Sequence, residues 1–148
     1  MNISTINSHL ESSLTSKVSF RRKSFTIHGI SVNGVFPVFE GIEIRLPDYY
    51  MTDAFWAAHN NNDQVCYREQ MRAASRQLHE MIKKNPKLAN QYTTQQQSAI
   101  AEGKHQIPEL TWHHKEDWLI MQLVDADLHK RYKHTGGSYT WNKKHFQK

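Results

Sequence analysis

Residues 107–137 read IPELTWHHKEDWLIMQLVDADLHKRYKHTGG, and this stretch decides the fold. Leu110–Lys115 and Trp118–Val124 are apolar and aromatic enough for two strands, with Lys115, Glu116 and Asp117 at the turn between them. Asp125 or Asp127 can then open a helix through Leu128–His134, which Gly136 and Gly137 close. Strand, strand, helix is a compact unit. It carries His113 and His114 on its first strand and His129 on its helix, where they can converge.

Breaking a phosphodiester needs an activated water and a cation that stabilises charge on the phosphate and on the leaving oxygen. A neutral imidazole is a good base near neutral pH, and further imidazoles can hold a divalent ion while leaving coordination positions open. Neighbouring side chains on an ideal strand point to opposite faces. His113 and His114 therefore serve one site only if the strand is bent or lies at an edge. A bare His-His pair is otherwise an ordinary surface feature of a basic domain.

The whole string is more specific than the pair. Trp112-His113-His114, Met121-Gln122-Leu123-Val124, Leu128-His129 and His134-Thr135-Gly136-Gly137 stand in the order and spacing of a known motif. The stretch resembles the WHH branch of the HNH/endonuclease VII nucleases, toxin nucleases of bacterial polymorphic and contact-dependent systems. The resemblance is close over residues 107–141 and looser upstream. It implies a ββα-metal core holding one divalent ion (Mg, Mn, Ni or Zn). By that analogy His113 and His129 are metal ligands and His114 is the base that activates water. His134 matches a family histidine that either binds metal or contacts the scissile phosphate. It lies five residues after His129, so Lys133 takes the i+4 position on an ideal helix. Gln122 stands near the place where related nucleases use an Asn to pin the loop after the first strand. Lys130, Arg131, Lys133, Lys143 and Lys144 surround this region and are the candidate phosphate-binding residues. The resemblance also implies DNA as substrate, an acidic immunity protein as partner, and action in the cytoplasm of a target cell.

Upstream, Ile42, Ile44 and Leu46 alternate with Glu43 and Arg45, the period of a half-buried strand. Pro37 and Gly41 interrupt it, which predicts an edge strand or a hairpin. Asp53–His59 predicts a short helix. Asp63 is the expected N-cap of a long helix to about Lys84, with Tyr67, Met71, Ala74, Leu78 and Met81 forming one apolar stripe. Arg68, Arg72 and Arg76 follow one another along that helix and read as a solvated face. Asn85 and Pro86 stop it, and Thr93 or Thr94 caps a shorter helix ending near Gly103. The expected class is α+β: a helical N-terminal half with a short strand or hairpin, packed on a C-terminal ββα-metal core. Residues 1–32, Ser- and Asn-rich with Lys17, Arg21, Arg22 and Lys23, read as a mobile or loosely packed basic arm. Residues 33–148 read as a single nuclease domain.

Composition narrows the classes. The chain of 148 residues has one cysteine, Cys66, which excludes an internal disulfide framework and a Cys-based zinc site. No apolar run approaches a membrane span and the first thirty residues are polar, so neither a spanning segment nor a signal peptide is visible. Delivery is then expected by another route. The formal net charge is +5, with surpluses before residue 33 and after residue 103 and six of the ten histidines in the last stretch. Such a surplus favours partners that carry phosphate, since each contact releases condensed counterions. Two other functions fit the same residues: an RNA-cleaving toxin, or a non-catalytic nucleic-acid-binding protein whose histidines hold a structural zinc. A closed four-ligand site would mark the second of these.

Overall fold

The computed structural model describes residues 19–27, 30–116 and 119–131. The fold is α+β: a two-stranded ribbon, a three-stranded antiparallel sheet, and helices packed against that sheet. Strands β1 (Ser19–Ile27) and β2 (Ile30–Val38) form the ribbon, paired from Ser19 opposite Val38 to Ile27 opposite Ile30. A boundary at residue 32 therefore falls inside β2. Arg21, Arg22 and Lys23 lie on β1.

The sheet runs in the order β3-β5-β4, from β3 (Glu43–Arg45), β4 (Leu110–His114) and β5 (Ile120–Asp125). As the alternation requires, β3 is an edge strand with Ile44 and Leu46 buried and Glu43 and Arg45 exposed. Helix α1 (Asp53–Ala58) begins at Thr52, whose hydroxyl accepts from the Phe55 amide. Asn60 and Asn61 follow at φ of 60° and 52°, a left-handed conformation that Asn tolerates better than most residues. Helix α2 (Asp63–Lys84) is capped by Asn62, one residue before the expected Asp63. Helix α3 (Thr94–Ala101) starts with a capping box between Thr93 and Gln96. Helix α4 (Ala126–Arg131) is opened by Asp125, whose carboxylate accepts from the Leu128 amide.

The buried line of α2 is Cys66, Gln70, Ala73, Ala74, Ser75 and Leu78, whereas Tyr67, Met71 and Met81 of the expected stripe are half-buried. Two polar residues turn the helix this way, because each finds partners inside. Gln70 donates to the Tyr50 carbonyl at 2.9 Å. Ser75 donates to the Lys104 carbonyl at 2.7 Å and accepts from the Trp112 indole at 2.8 Å. Trp112 thereby anchors β4 to α2 in a core with Ile44, Leu46, Leu78, Ile100, Leu119, Met121 and Leu123.

Gly41 sets the approach of the ribbon to the sheet. Its φ is 152°, and a Cβ there would stand 1.8 Å from the Leu123 carbonyl oxygen. That closeness leaves no room for relaxation, since the Leu123 amide also donates to Ile42 at 3.0 Å. Gly41→Ala is expected to cost about 3 kcal/mol or more in backbone strain and overlap. For a chain of this size that is roughly 6–12 °C in Tm, readable by calorimetry. A Tm within 2 °C of wild type would mean the 39–42 segment is not held against β5.

Candidate nuclease site

Strand β4 carries His113 and His114 to opposite faces of the sheet, as the pleat demands. The two rings are sorted by what each face offers. His113 points away from α2, is 4% exposed, and lies opposite Gln122 in the register. Its Nδ1 is 3.1 Å from Nε2 of His129, which α4 brings over the sheet from the end of β5. The Phe39 ring rests against both, at centroid distances of 5.2 Å and 5.6 Å. Gln122 keeps Phe39 there by donating to the carbonyls of Phe39 at 2.9 Å and Gly41 at 3.2 Å. The loop that Gln122 pins is thus the one before β3, not the loop after β4.

His114 faces α2 and is 7% exposed. Its Nε2 is 2.9 Å from the Gln70 side-chain oxygen, and the Tyr67 ring stands 5.0 Å away. The tautomer follows from the network. The Tyr50 carbonyl can only accept, so it fixes the Gln70 amide with its nitrogen toward Tyr50 and its oxygen toward His114. His114 must then carry its proton on Nε2, and the lone pair sits on Nδ1. Burial, and secondarily the positive charge of His129, lower the pKa of His114 to about 3. The ring is neutral at physiological pH.

Two imidazole nitrogens on one ion at about 2.1 Å stand roughly 3.0–3.4 Å apart. The 3.1 Å separation of His113 and His129 suits that edge, and neutral imidazole suits several transition metals. Among the described residues, no group of three or more His, Cys, Asp or Glu side chains is placed to hold an ion. The pair on its own would leave most coordination positions open. His134, Lys133, Lys143 and Lys144 lie outside the described residues. Lys130 and Arg131 are exposed on α4, with Arg131 bonded to Asp127 at 2.8 Å. Sequence reasoning passed over Gln70 and Phe39. Gln70 interrupts an apolar stripe, and a buried polar residue in that place is a signal in itself.

A family model for the DNase/tRNase domain of colicin-like bacteriocins, Colicin-DNase, matches residues 28–136. The chain belongs to this family. Membership makes it a nuclease domain of the bacteriocin-toxin type, with nucleic acid as its substrate. No curated protein and no solved structure matches the chain. In this Colicin-DNase domain the matched range takes in the His113–His129 pair, His114 with Gln70, and position 134, but leaves out strand β1. No helix among the described residues is long and apolar enough to cross a membrane.

Proposed function

We propose that this Colicin-DNase domain is a divalent-metal-dependent endonuclease of the WHH branch that hydrolyses phosphodiester bonds in DNA. The observation that carries the reading is the meeting of His113 and His129 at 3.1 Å within a strand-strand-helix unit. His113 and His129 would hold the ion, with His134 as a third ligand or a phosphate contact. A bound divalent ion would supply charge neutralisation at the phosphate and the leaving oxygen. His114 would supply the base from the edge strand β4: Gln70 holds its Nε2 proton, and its Nδ1 would take a proton from a water reaching that edge beside the His113–His129 pair. The negative phosphate raises the low proton affinity of this ring as substrate arrives. Lys130, Arg131, Lys133, Lys143 and Lys144 would contact neighbouring phosphates. DNA is favoured because an external water and a cation are what a substrate without a 2′-hydroxyl needs.

The burial of His114 favours a second reading of that ring, as a brace between β4 and α2 with water activation falling to another group. The two readings separate in His114→Gln, whose Nε2 amide can keep an N–H donor for Gln70. A base predicts that cleavage is lost far beyond what the drop in stability from replacing the buried ring explains. A brace predicts that both fall together.

The test of the whole reading is incubation of the purified protein with plasmid and with tRNA. Mg²⁺, Mn²⁺, Ni²⁺ or Zn²⁺ is added in turn, and EDTA serves as control. Plasmid cleavage that EDTA abolishes is expected. Cleavage of tRNA alone would move the substrate to RNA, and nicking that survives EDTA would remove the metal from the mechanism. As a toxin acting in the cytoplasm of a target cell, the domain would be accompanied in its producer by an immunity protein. Charge complementarity gives such a partner an acidic face and a fast, steered association.

A further inference from the structure

The ribbon that the sequence left as an arm encloses a cavity on the His113 side of the sheet. The cavity measures about 390 Å³ and lies between β1–β2 and the β3-β5-β4 sheet. Its basic lining is Arg21, Arg22 and Lys23 from β1 and Lys115 from the end of β4; its acidic lining is Glu43 and Glu116. Lys115 pairs with Glu43 at 2.8 Å, and Lys23 reaches the buried Glu116 at 4.0 Å. Four cations and two carboxylates make the lining net positive; Arg21 and Arg22 are exposed, and Arg22 donates to the Asn33 side chain at 3.4 Å. The cavity shares two walls with the histidine site. Phe39 touches both imidazoles, and Gln122 lies opposite His113.

We propose that the β1–β2 ribbon is a phosphate-gripping arm of the nuclease, in which Arg21 and Arg22, backed by Lys23 and Lys115, hold the substrate backbone beside the His113–His129 site. The inference rests on the nuclease reading and adds a substrate contact outside the residues that the family model matches on β1. Three arguments support it. The cavity and the candidate site share Phe39 and Gln122, so the basic lining lies one side chain away from His113. Guanidinium groups grip phosphate oxygens in a planar, two-pronged geometry that a lysine cannot copy. A two-stranded ribbon is also narrow enough to enter a DNA major groove, which gives the arm a path along the duplex. The ion pairs of Lys23 and Lys115 hold their ammonium groups in place for a further acceptor.

Fluorescence anisotropy of a short labelled duplex, titrated at several salt concentrations, tests the arm in three proteins. These are the wild type, Arg21→Ala/Arg22→Ala, and Arg21→Lys/Arg22→Lys. Losing two phosphate contacts should flatten the salt dependence by about 1.8 in log–log slope and weaken binding roughly 10- to 30-fold at physiological ionic strength. The lysine pair should keep the slope. Metal titration of the alanine pair should match wild type, because neither arginine lies at the histidines. An unchanged slope in the alanine pair, while wild type binds and cuts, overturns the arm and leaves the nuclease standing. Wild type that neither binds nor cuts any duplex overturns both.

Discussion

His129→Ala is expected to weaken divalent-ion binding at least 100-fold and to lower plasmid cleavage by a similar or larger factor, while leaving the melting temperature almost unchanged. The asymmetry comes from where the side chain sits. His129 is half-buried on α4, a six-residue helix with no buried residue, so its truncation opens little cavity. Yet its Nε2 is one of two nitrogens 3.1 Å apart, and removing it leaves a single imidazole. Changes to groups that merely support a ligand cost roughly 10–100-fold in metal affinity, so loss of a ligand should cost more. His113→Ala should show the same loss of binding with an added drop in stability. That ring is buried against Phe39, and its loss leaves a hole beside the loop that Gln122 holds. Calorimetric titration of metal into the three proteins, beside a nicking assay, separates the two effects. Metal affinity equal to wild type in His129→Ala would take the ion away from this pair.

The ββα unit was legible because each part carries a local signal. An apolar strand pair marked β4 and β5, and Asp125 or Asp127 marked the start of α4; outside the unit, alternation marked β3 and Thr93 or Thr94 marked α3. The opposite facing of His113 and His114 also followed from the pleat alone. What each face met did not. Gln70 sits 44 residues before His114, and only the packing of α2 across the sheet brings them to 2.9 Å. Periodicity passes over Gln70 because it counts side chains by type and cannot see a Tyr50 carbonyl waiting on the other side. The ribbon was missed for a different reason. Arg21, Arg22 and Lys23 break the alternation in β1, and three adjacent charges read as part of a basic arm. The β-branched and aromatic residues on either side of His28-Gly29 were the contrary signal, since a short glycine-containing loop between such runs reads as a hairpin. The charged break and the strand are compatible because the cations line a cavity and need not enter a core.

Acid should destabilise the metal-free protein through His114, beginning well above the range where carboxylates titrate. In the folded chain the ring has a pKa of about 3, lowered first by burial and then by the charge on His129. In the unfolded chain it returns to about 6.5. Between those values the unfolded chain binds the proton and the folded chain does not. Stability from this group is therefore complete above about pH 6.5 and declines as pH falls toward 3. The slope approaches about 1.4 kcal/mol per pH unit, so the loss across the window is on the order of 4 kcal/mol. His105, whose pKa burial also lowers, pulls in the same direction. Urea unfolding with EDTA present, at steps from pH 7.5 down to pH 4, measures the curve. His114→Gln isolates the contribution, because its Nε2 amide can still donate to Gln70 but carries no titrating proton. The variant should be the less stable protein at pH 7.5, where a ring fitted between Tyr67 and Gln70 has been replaced by a smaller group. Its stability should fall less steeply with acid, so the two curves approach each other near pH 4. Parallel curves over the whole range would mean that His114 is open to solvent in the folded protein. That result would also favour the ring as a base over the ring as a brace, since a group that water reaches can exchange its proton with water.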